Sequence, residues 1–174
     1  NYKDLISKLL VNEKLVALDV GAQGGFNNNI FLKKYDNFFN PIMVEPLIDE
    51  AQKLIKKNYQ VISKGLWSTN CKKKIYVMEK RKGSSSMYEP RKDAYDLYNL
   101  KKNKVHLFDI SKKIEVECTT IKESLNTLEI KNLDFLKIDT QGAELEILKG
   151  LGEYRPLIIN TEVQVIPMNK NVPN

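Results

Sequence analysis

The stretch Leu15-Val16-Ala17-Leu18-Asp19-Val20-Gly21-Ala22-Gln23-Gly24-Gly25-Phe26 decides how the rest of the chain is read. An apolar run ends in an acid, and glycines then bend the backbone toward a helix. That order suits a buried strand of a doubly wound sheet whose carboxyl end opens on a nucleotide-sized crevice, because glycine permits a sharp turn and a close approach to a ligand. Gly21-x-x-Gly24 lacks the three-glycine spacing of the dinucleotide fingerprint, which argues against a nicotinamide-dependent oxidoreductase. A second acid strengthens the reading. Glu45 closes the run Pro41-Ile42-Met43-Val44, about 20 residues beyond the glycines, where a carboxylate in such folds accepts hydrogen bonds from ribose hydroxyls.

Outward from that stretch the chain reads strand-helix-strand-helix-strand. Residues 26–34 predict a first crossover helix, 48–57 a second, and 59–63 a third strand, so the pairing is expected to be parallel. Upstream, Leu5, Ile6, Leu9 and Leu10 fall at helical spacing and predict a short helix over 2–10 that packs on the sheet. Downstream, Leu66-Trp67 and Ile75-Tyr76-Val77-Met78 flank a polar stretch and predict a hairpin. Residues 79–104 are the least regular, with a helix expected over 94–100, and an excursion of this kind is where substrate contacts are expected. Regularity returns with an alternating edge strand at 114–118 and a helix over 121–128 carrying Thr120 as N-cap and Glu123 three residues on. Another strand, 133–139, ends in Asp139 and leads into a helix over 143–149 closed by Gly150 or Gly152. A last strand over 156–163 carries Glu162 near its end.

The totals bound the class. At 174 residues the chain is one domain, and its 42% apolar and 29% charged residues describe an ordinary globule with no run approaching the ~20 residues of a membrane helix. The net charge of +6 comes from lysine, with Arg81, Arg91 and Arg155 the only arginines. A nucleic-acid groove would show more arginine with interleaved aromatics, so no nucleic-acid partner is expected. Cys71 and Cys118 form no C-x-x-C pair, and no leader pattern opens the sequence; the expectation is reduced thiols in the cytoplasm. One histidine and two scattered cysteines give no zinc spacing, and no metal is expected.

Several blocks, taken in order, resemble one family. Leu18-Asp19-Val20-Gly21-Ala22-Gln23-Gly24-Gly25-Phe26, Val44-Glu45-Pro46, Gly83-Ser84-Ser85-Ser86, the long block from Asp134-Phe135-Leu136-Lys137-Ile138-Asp139-Thr140-Gln141-Gly142-Ala143-Glu144 to Gly150, and Arg155-Pro156 to Glu162 are similar to the FkbM family of S-adenosylmethionine-dependent methyltransferases. The resemblance implies a Rossmann-like class I methyltransferase fold, an α/β architecture with a mainly parallel central sheet flanked by helices. It further implies S-adenosyl-L-methionine as methyl donor and, as acceptor, a hydroxyl group of a sugar or other small molecule. By that likeness Asp19 and the turn of Gly21, Gln23 and Gly24 hold the methionine part of the donor. Glu45, with Pro46 beside it, takes the ribose diol. Two departures stand out: Thr120-Ile121-Lys122 lies where the family usually has an aspartate after Thr-Leu, and family domains continue past the Glu162 strand with an antiparallel pair, so the last strands are expected to be missing here or to come from elsewhere.

For such chemistry the chain must orient an acceptor oxygen and take its proton. Asp139, just past a strand end, is the first candidate for that position; it could instead cap the following helix or hold the donor's amino group. Glu162 occupies the equivalent place on the next strand, and His106, the only histidine, enters as a base through its pKa range alone. Ser85, with Ser84, Ser86 and Tyr88, offers hydroxyls to adenine or acceptor, and Lys80, Arg81, Lys82, Arg91 and Lys92 either steer an acidic acceptor or form a solvated face. Trp67 is expected to pack rather than stack on adenine. A domain of the same fold that binds the donor without transferring its methyl is the alternative.

Overall fold

The computed structural model describes residues 13–26, 36–91 and 108–173, with Asp4, Lys8, Leu10, Asp93 and His106. The helices expected over 2–10, 26–34 and 94–100 lie, single positions apart, outside the described residues. The central element is a five-stranded sheet in the order β3-β2-β1-β7-β8, parallel throughout. Its strands are β1 (Leu15–Val20), β2 (Phe39–Val44), β3 (Gln60–Ile62), β7 (Phe135–Ile138) and β8 (Ile158–Thr161). Strands β1, β2 and β7 are apolar on both faces because both faces are covered, as parallel strands require. On one side Leu18, Val20, Ile42, Leu136 and Ile138 join the main core. On the other Ala17, Met43 and Phe135 pack with Phe26 and Leu54.

The helices connecting these strands obey local rules. In α1 (Ile48–Lys56) the acids Asp49 and Glu50 sit in the first turn and Lys53 and Lys56 in the last, which suits the helix dipole, while Ala51 and Leu54 face the core. In α2 (Ile121–Thr127) the Thr120 hydroxyl accepts from the Glu123 N–H at 3.0 Å, the expected cap. Helix α3 (Glu144–Lys149) ends at Gly150, whose φ of −82° is ordinary. Glycine is needed there for space, since a Cβ would collide with the Trp67 carbonyl.

The middle of the chain departs from expectation. Strands β4 (Gly65–Leu66) and β5 (Cys71–Val77) do not pair as a hairpin. Strand β6 (Lys112–Thr119) lies between them, antiparallel to β5 over seven register pairs and parallel to β4, so the segment expected at an edge is the centre of a second, three-stranded sheet. Alternation is kept on both strands: Ile75, Val77, Val116 and Cys118 turn inward onto the main core, and Lys72, Lys74, Glu115 and Glu117 turn out. Trp67 is buried with them beneath the Lys73 ammonium, 3.9 Å from the ring centroid. At the far edge of the large sheet, Leu157, Ile158 and Ile159 of the β8 region are exposed. Among the described residues no helix is long and apolar enough to cross a membrane.

Candidate active site

Register brings the strand ends level. Val20 pairs with Val44 on one side and Ile138 on the other, Val44 with Ile62, and Ile138 with Thr161. The next residues, Gly21, Glu45, Asp139 and Glu162, therefore share one rim. The strand order reverses between β1 and β7, and a crevice opens at such a switch point. Gly21 (φ +80°) makes the turn: its N–H and that of Ala22 both reach the Val44 carbonyl at 3.3 Å, and a Cβ there would collide with the Asp139 carbonyl.

Below the rim is a cavity of about 340 Å³, within the range of small-molecule sites. Asp19, Gly21, Gln23, Glu45, Pro46, Ser85 and Asp139 line it, so most of the residues proposed from the sequence stand together. Gly24 belongs to the turn but not to the lining, and its carbonyl accepts from Lys57 Nζ at 3.0 Å. His106 is exposed and is not among the lining residues. Lys122, at the position of the family's aspartate, is also remote from the lining and pairs with Glu153 at 2.9 Å.

Two lining carboxylates are buried. Asp19 is 2% exposed, and burial raises it above its usual range while the Lys137 ammonium, 2.8 Å away, pulls it back. The pair is a consequence of register, since Asp19 and Lys137 are direct partners across β1 and β7. Glu45 is 6% exposed and is pushed up to about 7 by burial, against which a hydrogen bond from the Leu47 N–H at 2.9 Å works only partly. Lys137 and Glu50 are functional candidates that the sequence reading did not single out, and Lys82, named there as one of a group of cations, joins them in the lining. A lysine inside the run Phe135-Leu136-Lys137-Ile138 was the available signal, because a cation in a central strand requires a partner. Glu50 and Lys82 meet at 2.9 Å from elements far apart in sequence, which no local pattern announces.

On the rim a second group is assembled around Gln141. Its side-chain amide donates to Asp139 Oδ1 at 3.1 Å and to Glu162 Oε2 at 2.6 Å, and its Oε1 accepts from Gln164 Nε2 at 3.1 Å. Its carbonyl accepts from Ser86 Oγ at 2.8 Å and Asn169 Nδ2 at 2.7 Å. These bonds hold Gln141 at φ +60°, a left-handed conformation that costs on the order of 1–3 kcal/mol and collects at functional sites. Partial desolvation, and then the adjacent Asp139 carboxyl, raise Glu162 above the usual carboxylate range. Asp139 does not cap α3, whose N-cap Ala143 receives no side-chain bond. Glu144 organises that turn instead, accepting from Thr140 N (2.9 Å), Thr140 Oγ1 (3.0 Å) and Gly142 N (2.8 Å). Beyond Gln141 lies a smaller cavity of about 200 Å³, lined by Arg81, Ser84, Phe108, Gln141, Glu162, Gln164 and Asn169 among others. No described group of histidine, cysteine and acidic side chains could hold a metal ion.

Residues 19–173 match the model of the methyltransferase FkbM domain, from the acid near the end of β1 to the last described residue. No curated protein and no solved structure matches the chain. Since the match spans far more than half of the sequence and the parallel sheet carries its crevice at the switch point, the chain belongs to the FkbM methyltransferase family.

Proposed function

We propose that this methyltransferase takes its methyl group from S-adenosylmethionine and delivers it to a hydroxyl oxygen of a small acceptor, a sugar or similar metabolite. The observation that carries the reading is the convergence of Asp19, Glu45 and Asp139 on one cavity at level strand ends. The lining fits such a donor. Carboxylates (Asp19, Glu45, Glu50, Asp139) outnumber ammonium groups (Lys82, Lys137), as suits a ligand carrying sulfonium and amino charges, and Leu66, Ile75, Met87 and Ile147 offer an apolar wall for a purine. When bound, the donor supplies a methyl carbon already activated by its sulfonium.

The chain's own task is orientation and proton handling. Glu45, once ionised, accepts from a vicinal diol at the end of β2. Asp19, neutralised in part by Lys137, presents a fixed carboxylate to an amino group without the cost of an unpaired buried charge. The smaller cavity beyond Gln141 receives the acceptor, with the Asp139–Glu162 pair holding its proton and Gln141 fixing the distance between the two acids. The reading is of a cytoplasmic enzyme acting on small molecules, which the cysteine usage and the scarcity of arginine support.

Calorimetry of the purified chain with S-adenosylmethionine and with its demethylated product tests the donor. Saturable binding of both is expected, and no binding of either would overturn the reading. Methyl transfer to members of a panel of hydroxylated small molecules tests the acceptor class; donor binding with no transfer across the panel would favour the binding-only alternative.

A further inference from the structure

Away from the cavity, the two cysteines stand in a relation the sequence does not suggest. Cys71, at the start of β5, is the direct register partner of Cys118 near the end of β6, so the two side chains project from neighbouring strands on the same face of the small sheet. Cross-strand partners in an antiparallel ladder have Cα atoms about 4.5–5.5 Å apart, inside the separation a disulfide spans. The register is pinned along its length. Lys72 pairs with Glu115 at 3.3 Å on the outer face, and Ile75, Val77 and Val116 are buried on the inner face, so a one-residue slip would expose the core and is disfavoured. Cys71 is half-buried and within reach of a small oxidant; Cys118 is buried.

We propose that Cys71 and Cys118 form a redox-responsive pair that closes into a cross-strand disulfide when a hydroperoxide reaches it. The Cys71 thiolate attacks a peroxide oxygen, the O–O bond breaks, and hydroxide (or an alkoxide) leaves with Cys71 as its sulfenic acid. The Cys118 sulfur then attacks the Cys71 sulfur, giving up its proton as the S–O bond breaks and water departs. Two thiols are oxidised by two electrons, and the peroxide is reduced to two molecules of water, or one each of water and alcohol. Cys71 is the more accessible thiol and burial pushes the Cys118 thiol up to about 12, so Cys71 is the attacking sulfur and Cys118 the resolving one. The bond would lie directly behind the cavity wall: a Cβ placed on Gly65, which lines the cavity, would sit 2.7 Å from Cys118 Sγ. This inference is independent of the donor and acceptor proposed above.

The test is made on the full chain, reduced, freed of reductant, exposed to hydrogen peroxide, then denatured and alkylated. Closure of the pair predicts loss of both alkylatable thiols, a mass lower by two hydrogens, one linked peptide pair containing Cys71 and Cys118, and a melting temperature several degrees higher that dithiothreitol reverses. The Cys118→Ser variant is expected to accumulate a dimedone-reactive sulfenic acid at Cys71 and to show no such rise. Two thiols still alkylated after peroxide, Cys71 overoxidised with Cys118 free, or disulfide found only between chains would each overturn the proposal.

Discussion

At the scale of single residues, Glu45 joins burial to a ligand in a way that pH can read. Its carboxyl ionises at about 7 in the ligand-free chain, and a diol bound to it favours the ionised form, so binding must release a proton near and below that value. Donor affinity is therefore expected to rise with pH up to about 7 and to level off above it. Calorimetry at pH 6 in buffers of different ionisation enthalpy should detect the released proton. Glu45→Gln is expected to abolish the slope and to weaken donor binding by about 1.5–3 kcal/mol, the worth of hydrogen bonds to a charged group. A pH-dependence unchanged in the variant would remove Glu45 from the diol site. Asp139 and Glu162 are read differently, since Gln141 ties them into one unit. Asp139→Asn and Glu162→Gln should each lower kcat by roughly a hundredfold or more, and the double variant little further, while donor affinity stays within a few-fold. Donor binding lost in step with kcat would make Asp139 a donor ligand.

At the scale of elements, the turn from β7 into α3 shows why its sequence is so particular. Gln141 and Gly142 both have positive φ, and the three donors bonded by Glu144 keep the turn from relaxing. Glu144→Ala is expected to destabilise the chain by about 1–3 kcal/mol in urea unfolding and to lower kcat through the misplaced Gln141, with Glu144→Gln restoring part of both. An unfolding midpoint unchanged in Glu144→Ala would deny the carboxylate that role. The same elements show what was legible in the sequence. Strands β1, β2 and β7 could be read because each is an apolar run ended by an acid, a local pattern that burial on both faces enforces. The Thr120 cap was legible for the same reason, its partner lying three residues away. The supposed hairpin was not, because β6 enters between β4 and β5 from more than 30 residues downstream, and long-range pairing leaves no mark on the local pattern. The Gln141 cluster was hidden likewise: its partners Ser86, Glu162, Gln164 and Asn169 are gathered by the fold alone.

At the scale of the whole molecule, the desolvated carboxylates and the lysine-paired ones respond to pH in opposite directions. Asp19, Glu45 and Glu162 are raised in the folded chain, so the stability they contribute is complete below the ordinary carboxylate range and is lost as pH rises through their raised values, near 7 for Glu45. Glu50 and Glu146 are lowered by their lysine partners, so their contribution is present above the ordinary range and is lost in acid. The net charge of +6 at neutral pH grows as pH falls and adds self-repulsion, which blurs any melting profile of the free chain. Comparing melts with and without the demethylated donor removes that background, because repulsion and surface pairs are common to both. What remains is the linkage of ligand to the buried carboxylates. A ligand that favours ionised Glu45 stabilises more strongly as pH rises, so the ligand-induced increase in melting temperature is expected to widen between pH 5 and pH 7.5, by a few degrees at constant ligand concentration. In Glu45→Gln the increment should be smaller and flat over the same interval. An increment in the unsubstituted chain that stays constant or shrinks with pH would mean that the ligand does not engage the buried carboxylates, and the donor site would have to be sought elsewhere on the rim.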